Sequence, residues 1–469
     1  MIHKLAAAAA VALFATSAAA QQAVPNYPGQ AQFRALYQEL VETNTTLSSG
    51  SCTEAAQKMA ARLKAGGYGE GDIQILAPAE RPKDGALIAV LRGSDSRLKP
   101  LLLLAHVDVV EAKREDWVRD PFKLVEEDGY FYARGASDDK AMAAAFTDAM
   151  IRYKSEGFRP KRTIKLALTC GEETPDTFNG VSWLLAHHPG ALDAAFALNE
   201  GAGGRLMGDK RVYLGIQAGE KVYQDFTLET TNPGGHSSRP VKDNAIYRLS
   251  AALSRIGTYD FPVALNEATR LHFERMSTIL GGETGAAMKA ALATPTPAEA
   301  VASISRDAGY NSMMRTTCVA TMVDAGHAPN ALPQRAAANV NCRILPDESV
   351  EGTLQRLTEV VADPGVKITL GGAKSPVSRP PPLSRDILGP AEQTAAELWP
   401  GVPLVPAMAT GATDGRFLLA AGIPTYGLSG MFSEPDGSGV HGLNERIRVR
   451  SLYEGREFLY RVVKRYAAR

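Results

Sequence analysis

Apolar positions along the chain fall into two textures. In the first, residues 32–47 and 54–65 repeat apolar side chains at three- and four-residue spacing, which predicts amphipathic helices. Short unbroken apolar runs follow at 86–91, 101–105, 164–169 and 195–198, with helical stretches at 140–156 and 181–187. Strands alternating with helices predict an α/β domain. In open α/β sheets ligands gather beyond the carboxyl ends of the strands, and His106, Glu172, Glu173 and Glu200 all fall there.

From about residue 220 the texture changes to strict alternation. Strands are expected at 222–230, 316–324, 336–345 and 366–370, with helices at 244–256 and 350–361. This strand, helix, strand, strand, helix, strand order predicts a small α+β layer whose sheet stays open on one side or at one edge. A largely helical insertion, 267–307, interrupts it and has no role readable from the sequence. The segment 375–385 is rich in proline and reads as an extended return linker. A helix at 389–398, short strands around 425–428 and a closing helix at 451–466 complete the chain. The second domain, 220–372, is thus inserted between 21–219 and 373–469.

Composition narrows the possibilities. At 469 residues the chain exceeds what one core normally supports, and 45% hydrophobic with 22% charged residues describes a folded protein. Lys+Arg and Asp+Glu balance at 51 each, so no global field favours nucleic acid or an anionic membrane. Residues 1–20 combine Lys4, an apolar stretch to about Phe14 and Ala18-Ala19-Ala20, the pattern of a signal peptide cleaved near Ala20. The stretch is short for a membrane span, which needs about 20 apolar residues. Export to the periplasm or outside, with no stable membrane insertion after cleavage, is the expectation; an uncleaved anchor is the alternative. Four cysteines, Cys52, Cys170, Cys318 and Cys342, allow three pairings. Cys318 and Cys342 lie on candidate neighbouring strands and are the preferred bridge, while Cys170 reads as a buried free thiol.

The chemistry sits in five motifs: L-L-L-L-A-H-V-D with His106 and Asp108, R-G-A-S-D-D-K with Asp138, T-C-G-E-E-T with Glu172 and Glu173, A-L-N-E-G with Glu200, and V-H-G-L-N-E with His441. Each alone has a plainer use. Asp138-Asp139 suits a helix cap, and a Glu-Glu pair usually marks a solvated turn. Together they supply imidazole and carboxylate ligands for two divalent metals, with one acid left as a base. His187, His188, His272 and His327 have no such companions and are expected at the surface or at helix ends.

In this order the motifs resemble the M20 family of metallopeptidases and amidohydrolases. The likeness includes P-G-G-H-S-S-R-P in the inserted domain and covers nearly the whole mature chain. It implies a catalytic domain of the di-zinc exopeptidase type, with a mixed sheet and helices on both faces, plus an inserted α+β lid that can form a homodimer. By the resemblance, His106 and Glu200 hold one Zn2+, Glu173 and His441 the other, and Asp138 bridges them; Co2+ or Mn2+ could substitute. Glu172 corresponds to the general base, Asp108 to the carboxylate orienting His106, and His236 to the donor that stabilises the oxyanion. Asn330, Arg343 and Gly411 match substrate-binding positions, Arg343 with its fork toward a substrate carboxylate.

The implied activity is exopeptidase cleavage of short peptides, carboxypeptidase-like or dipeptidase-like. An N-acyl-amino-acid amidohydrolase would use the same groups and is the alternative. An inactive peptide-binding scaffold is a third reading, which loss of the base or of a ligand would favour; none is lost here.

Overall fold

The computed structural model describes residues 26–174, 177–377 and 379–469, and the expected leader lies outside them. The run at 101–105 becomes the strand Leu101–His106, buried along its whole length and flanked by the parallel strands Ile164–Thr169 and Phe196–Asn199. A strand covered on both faces has no solvent side, so its sequence is continuous leucine rather than alternating. Successive side chains still point to opposite faces. Leu101 and Leu103 enter one core with the helices Gln30–Val41, Cys52–Ala65, Lys140–Ser155 and Val449–Ala467. Leu102 and Leu104 enter another with Val181, Leu184 and Leu418. Helices therefore cover both faces of the sheet.

The sheet has ten strands, in the order Ile73–Leu76, Ala86–Leu91, Ile164–Thr169, Leu101–His106, Phe196–Asn199, Thr425–Gly427, Lys210–Glu220, Gly204–Met207 and Phe432–Ser433, with Leu404–Ala409 added parallel to Lys210–Glu220. It is mixed, because Ala86–Leu91 pairs antiparallel with both of its neighbours. The long strand Lys210–Glu220 does not stand out in the apolar pattern. Gly215 interrupts it for a reason: a Cβ there would lie 2.8 Å from that of Ala202, so only glycine lets the backbones approach. The first helix ends at Val41 rather than at 47, because Asn44 turns the chain by accepting a hydrogen bond from the amide of Thr46.

The second sheet is antiparallel, in the order Thr317–Ala325, Arg335–Ile344, Val222–Thr231, Lys367–Gly371. Its apolar face packs on the helices Ala245–Gly257 and Val350–Val361 through Phe226, Leu249, Val340 and Leu357. Thr317–Ala325 forms an open edge on which Val319, Met322 and Val323 are exposed. The intervening helices Glu267–Leu280, Gly282–Ala290, Ala298–Ile304 and Ala308–Met314 turn away from this sheet. They build a small core that includes Val405 of the large sheet. His272, expected near the surface, is buried there, its Nδ1 2.9 Å from the carbonyl oxygen of Pro406. That bond satisfies one nitrogen of a ring that the apolar helix face would otherwise exclude.

Both cysteine pairs are bridged. Cys318 and Cys342 lie opposite one another in register, as expected. Cys170 is buried but not free: it is joined to Cys52 at the start of the helix Cys52–Ala65. Side-chain proximity across 118 residues left no trace in the local pattern that suggested a thiol.

Candidate metal centre

Because the three central strands are parallel and His106 lies opposite Thr169, the segments that follow them emerge at one edge. His106, 2% exposed, is the last residue of its strand. Its Nε2 lies 3.1 Å from Asp138 Oδ1 and 3.8 Å from Glu200 Oε2. Its Nδ1 faces Asp108, 3.1 Å from the carbonyl oxygen and 3.6 Å from the carboxylate. Asp108 Oδ2 in turn accepts the amide of Glu173 at 3.0 Å, so one acid orients the imidazole and pins the Glu172-Glu173 turn.

The other oxygen of Asp138 turns to His441. Nε2 of His441 is 3.3 Å from Asp138 Oδ2 and 2.8 Å from Glu173 Oε1. Asp138 thus stands between two sets of donors, His106 with Glu200 and His441 with Glu173, each set gathered within 4.8 Å. Glu172 approaches His106 and Glu173 within the same limit. Asp139 begins the helix Lys140–Ser155 but makes no side-chain cap bond.

The electrostatics follow from packing acids together in a buried place. Burial first, and the Glu200 charge second, push the Glu172 carboxyl up to about 10. Burial likewise raises Glu200. Hydrogen bonds to Asp138 and Glu173 lift His441 to about 10. Burial works against ionisation of Asp138, yet its bonds from both histidines hold its carboxyl below the ordinary range. Glu200 Oε1 and Asp108 Oδ1 are buried with no protein hydrogen-bond partner among the described residues. Mutually repelling acids with free lone pairs, interleaved with imidazoles, form a donor set that fits two divalent cations.

Glu445, the last residue of V-H-G-L-N-E, has no role readable from that motif alone, yet it joins the two halves of this centre. It is 1% exposed. Its Oε1 accepts the amides of Ser137 and Asp138 at 2.8 and 3.0 Å, and its Oε2 accepts the Gly135 amide and the Arg134 guanidinium. Arg134 then donates to the carbonyl oxygen of Gly442. A signal existed: Arg134 stands four residues before Asp138, and Glu445 four after His441. The loop they clamp carries positive φ at both His441 and Asn444, 60° and 56°, a conformation that disfavours non-glycine residues by about 1–2 kcal/mol each.

Asp414 plays a related part, its carboxylate accepting from Thr169 and from Asn179, whose amide also reaches the carbonyl oxygen of Gly171. It braces the turn that presents Glu172. Burial raises its carboxyl to about 6. Thr413 bonds Glu220, and Gly411 is exposed with open space around it.

The remaining predicted residues sit on the second sheet and at a two-residue ribbon, Gly235–His236 paired with Ala331–Leu332. His236 is exposed, pairs in register with Ala331, and its Nδ1 accepts from Ser238. Asn330 lies beside it, its carbonyl oxygen accepting the Ser237 amide. Arg343 stacks on Tyr223, its guanidinium carbon 4.6 Å from the ring centroid. Among the described residues, none of these three joins the metal-ligating groups.

An α/β sheet that collects two histidines and interleaved acids at one edge, with a second sheet inserted in the chain, is the frame of a dinuclear-type hydrolase, with donors that could hold paired cations. A family model described as Peptidase family M20/M25/M40 matches residues 102–465, and the chain belongs to that family. The human N-fatty-acyl-amino acid synthase/hydrolase PM20D1 is 30% identical over 388 residues, 80% of this chain and 75% of that protein. Probable carboxypeptidase S-like 2 of Dictyostelium discoideum is 28% identical over 393 residues, 81% and 74% respectively. The crystal structure of the M20 family metallo-carboxypeptidase Sso-CP2 from Sulfolobus solfataricus shares the fold, with a TM-score of 0.69 at 19% identity, over 93% of this chain and 99% of that one.

Proposed function

We propose that the protein is an exported, zinc-dependent exopeptidase, carboxypeptidase-like or dipeptidase-like, that hydrolyses the amide bond beside a free carboxylate in short peptides. The observation that carries this reading is the placement of Asp138, one oxygen toward each of two imidazole–carboxylate sets, with Glu172 close by and left over. His106 and Glu200 would hold one cation, His441 and Glu173 the other, and Asp138 both. Bound there, two cations would supply Lewis acidity toward the scissile carbonyl and toward a water. Glu172 takes the proton of that water as its oxygen attacks the carbonyl carbon, then delivers it to the leaving nitrogen as the C–N bond breaks. His236 donates toward the oxyanion, Arg343 receives the substrate carboxylate, and Asn330 and Gly411 line the substrate site.

Zinc suits the mixed nitrogen and oxygen donors, with Co2+ or Mn2+ as alternatives. Export is supported by the character of residues 1–20 and by the two disulfides, which persist in oxidising compartments. Among the described residues no helix is long and apolar enough to cross a membrane. The open edge Thr317–Ala325 suits pairing with a second copy. A second reading, hydrolysis of N-acyl amino acids, is favoured by the likeness to PM20D1.

The test is metal analysis of the purified protein together with turnover on dipeptides, N-acyl amino acids and carboxylate-blocked forms of each. Two metals per chain with turnover that needs the free carboxylate is the expected result. Metal without any turnover would favour a peptide-binding scaffold.

A further inference from the structure

The helical insertion, which has no role readable from the sequence, carries a cavity of about 700 Å³. It lies between the segment that leads into the helix Glu267–Leu280 and the helix Ala298–Ile304. Its wall includes none of the candidate metal ligands, and none of His236, Asn330, Arg343 and Gly411. Val263, Leu265 and Val301 form the apolar side, packed against the core that the insertion shares with Val405. Thr294, Thr296 and Ser305 add hydroxyls. An apolar hollow of this size on which a few polar groups converge suits a small organic ligand.

Those polar groups are left unsatisfied by the fold. Arg315 is 5% exposed. It ends the helix Ala308–Met314 in extended backbone, and its carbonyl oxygen accepts Lys221 Nζ at 2.8 Å, so its main chain is held. Its guanidinium is held far less. Among the described residues it makes one ion pair, at 3.4 Å to Oδ1 of the exposed Asp260, and its Nε is buried with no hydrogen-bond partner. Ser305 Oγ is buried and unpartnered as well. Arg270, the other cation of the wall, is committed to the rim, donating to the carbonyl oxygen of Leu292 and to the hydroxyl of Thr294. A buried guanidinium with unused donors is costly until an acceptor reaches it, and the cavity it lines is where one can enter.

We infer that this cavity binds a free amino acid with a large apolar side chain, such as leucine or phenylalanine. The ion pair sets opposite charges 3.4 Å apart, and a zwitterion offers the complementary pair: its carboxylate to Arg315 and the Ser305 hydroxyl, its ammonium to Asp260. The side chain then lies on Val263, Leu265 and Val301. A simple carboxylic acid leaves Asp260 unmatched, and a simple amine leaves Arg315 so. The site does not depend on the amide-hydrolase reading, although that reaction would release ligands of this class.

The experiment is a saturation-transfer NMR titration of the metal-loaded protein with L-leucine, with isocaproate, which lacks the ammonium, and with L-leucine amide, which lacks the carboxylate. L-Leucine is expected to bind with a Kd of about 1 mM. The amide should bind at least about tenfold more weakly, having lost the acceptor that the buried guanidinium needs. Isocaproate should lose only about threefold, because Asp260 is 80% exposed and its pull on an ammonium is screened by water. Arg315→Leu should weaken L-leucine at least about tenfold. Ala302→Trp, at an exposed position of the wall, should fill the cavity and abolish binding, an independent check if the change at the buried arginine disturbs folding. Arg343→Ala should leave the affinity within about twofold. No saturable binding below about 20 mM, an amide as good as leucine, or binding that neither Arg315→Leu nor Ala302→Trp moves would overturn the site. Binding that Arg343→Ala removes would overturn it too, by placing the amino acid at the metal centre. Since binding is the readout, a protein without turnover would sink the proposed reaction and leave this site standing.

Discussion

The large sheet and the inserted sheet treat their functional side chains in opposite ways. At the edge of the large sheet most of the candidate site is braced by other groups: His106 by Asp108, the Glu173 amide by Asp108, the Asp138 amide by Glu445, the Glu172 turn by Asp414 through Asn179 and Thr169. Burial makes these polar groups costly to leave unpaired, and the pairing in turn fixes their positions. On the inserted sheet His236 and Asn330 are exposed and held by a two-residue ribbon. The contrast teaches where each kind of precision is needed. Metal ligands must be in place before a substrate arrives, whereas groups that meet the substrate can be brought up by it.

The sharpest way to break this comparison is to remove function from the rigid side without touching its ligands. Glu172→Gln keeps the size of the side chain and leaves both donor sets intact. Turnover is expected to fall about 10²–10⁴-fold while metal content stays the same. Retained activity would take the base from Glu172.

Next comes the clamp. Glu445→Ala strips Arg134, 3% exposed, of its carboxylate and frees three amides beside Asp138, which should cost about 3–5 kcal/mol of stability. Metal should bind about 10–100-fold more weakly, measured by equilibrium dialysis, because Glu445 holds the two loops that carry Asp138 and His441. Glu445→Gln, which retains one acceptor oxygen, should recover part of both. Unchanged metal affinity in the alanine variant would reduce Glu445 to a fold-stabilising residue.

On the exposed side, His236→Ala should lower kcat about 10²–10³-fold, as loss of an oxyanion donor does, with metal content and melting temperature unchanged. An equal loss of stability would mean that the ribbon, and not the ring, is what matters.

How far the sequence reveals this depends on whether a feature is local. The carboxyl ends of buried strands are visible as the ends of apolar runs, and this alone puts His106, Glu172, Glu173 and Glu200 at one edge. The alternation of Val222–Thr231 and Arg335–Ile344 likewise revealed the inserted sheet. Glu445 is harder to read because, apart from Arg134, its partners are backbone amides more than 300 residues away, which carry no side-chain signature. The burial of His272 depends on one carbonyl of a strand 134 residues later. The turn of the helical insertion toward Leu404–Ala409 is equally a property of packing, since its own apolar pattern fits either sheet.

The two disulfides divide along the same line and give the finest test. Cys52–Cys170 closes 118 residues and ties a helix start to the turn just before Glu172, whereas Cys318–Cys342 closes 24 within neighbouring strands. In the chain-entropy model, losing the first should cost about 5 kcal/mol and losing the second about 3.5 kcal/mol. Denaturant unfolding of the two double-alanine variants should therefore differ by about 1.4 kcal/mol, the catalytic pair being the weaker. The activity of the folded variants should separate them further. The Glu172 turn has Asp108 and Asp414 as its other anchors, so turnover is expected to fall with the first pair and to hold with the second. An equal effect of both on turnover would mean that the inserted sheet needs as firm a frame as the metal edge, and the contrast between the two regions would not survive.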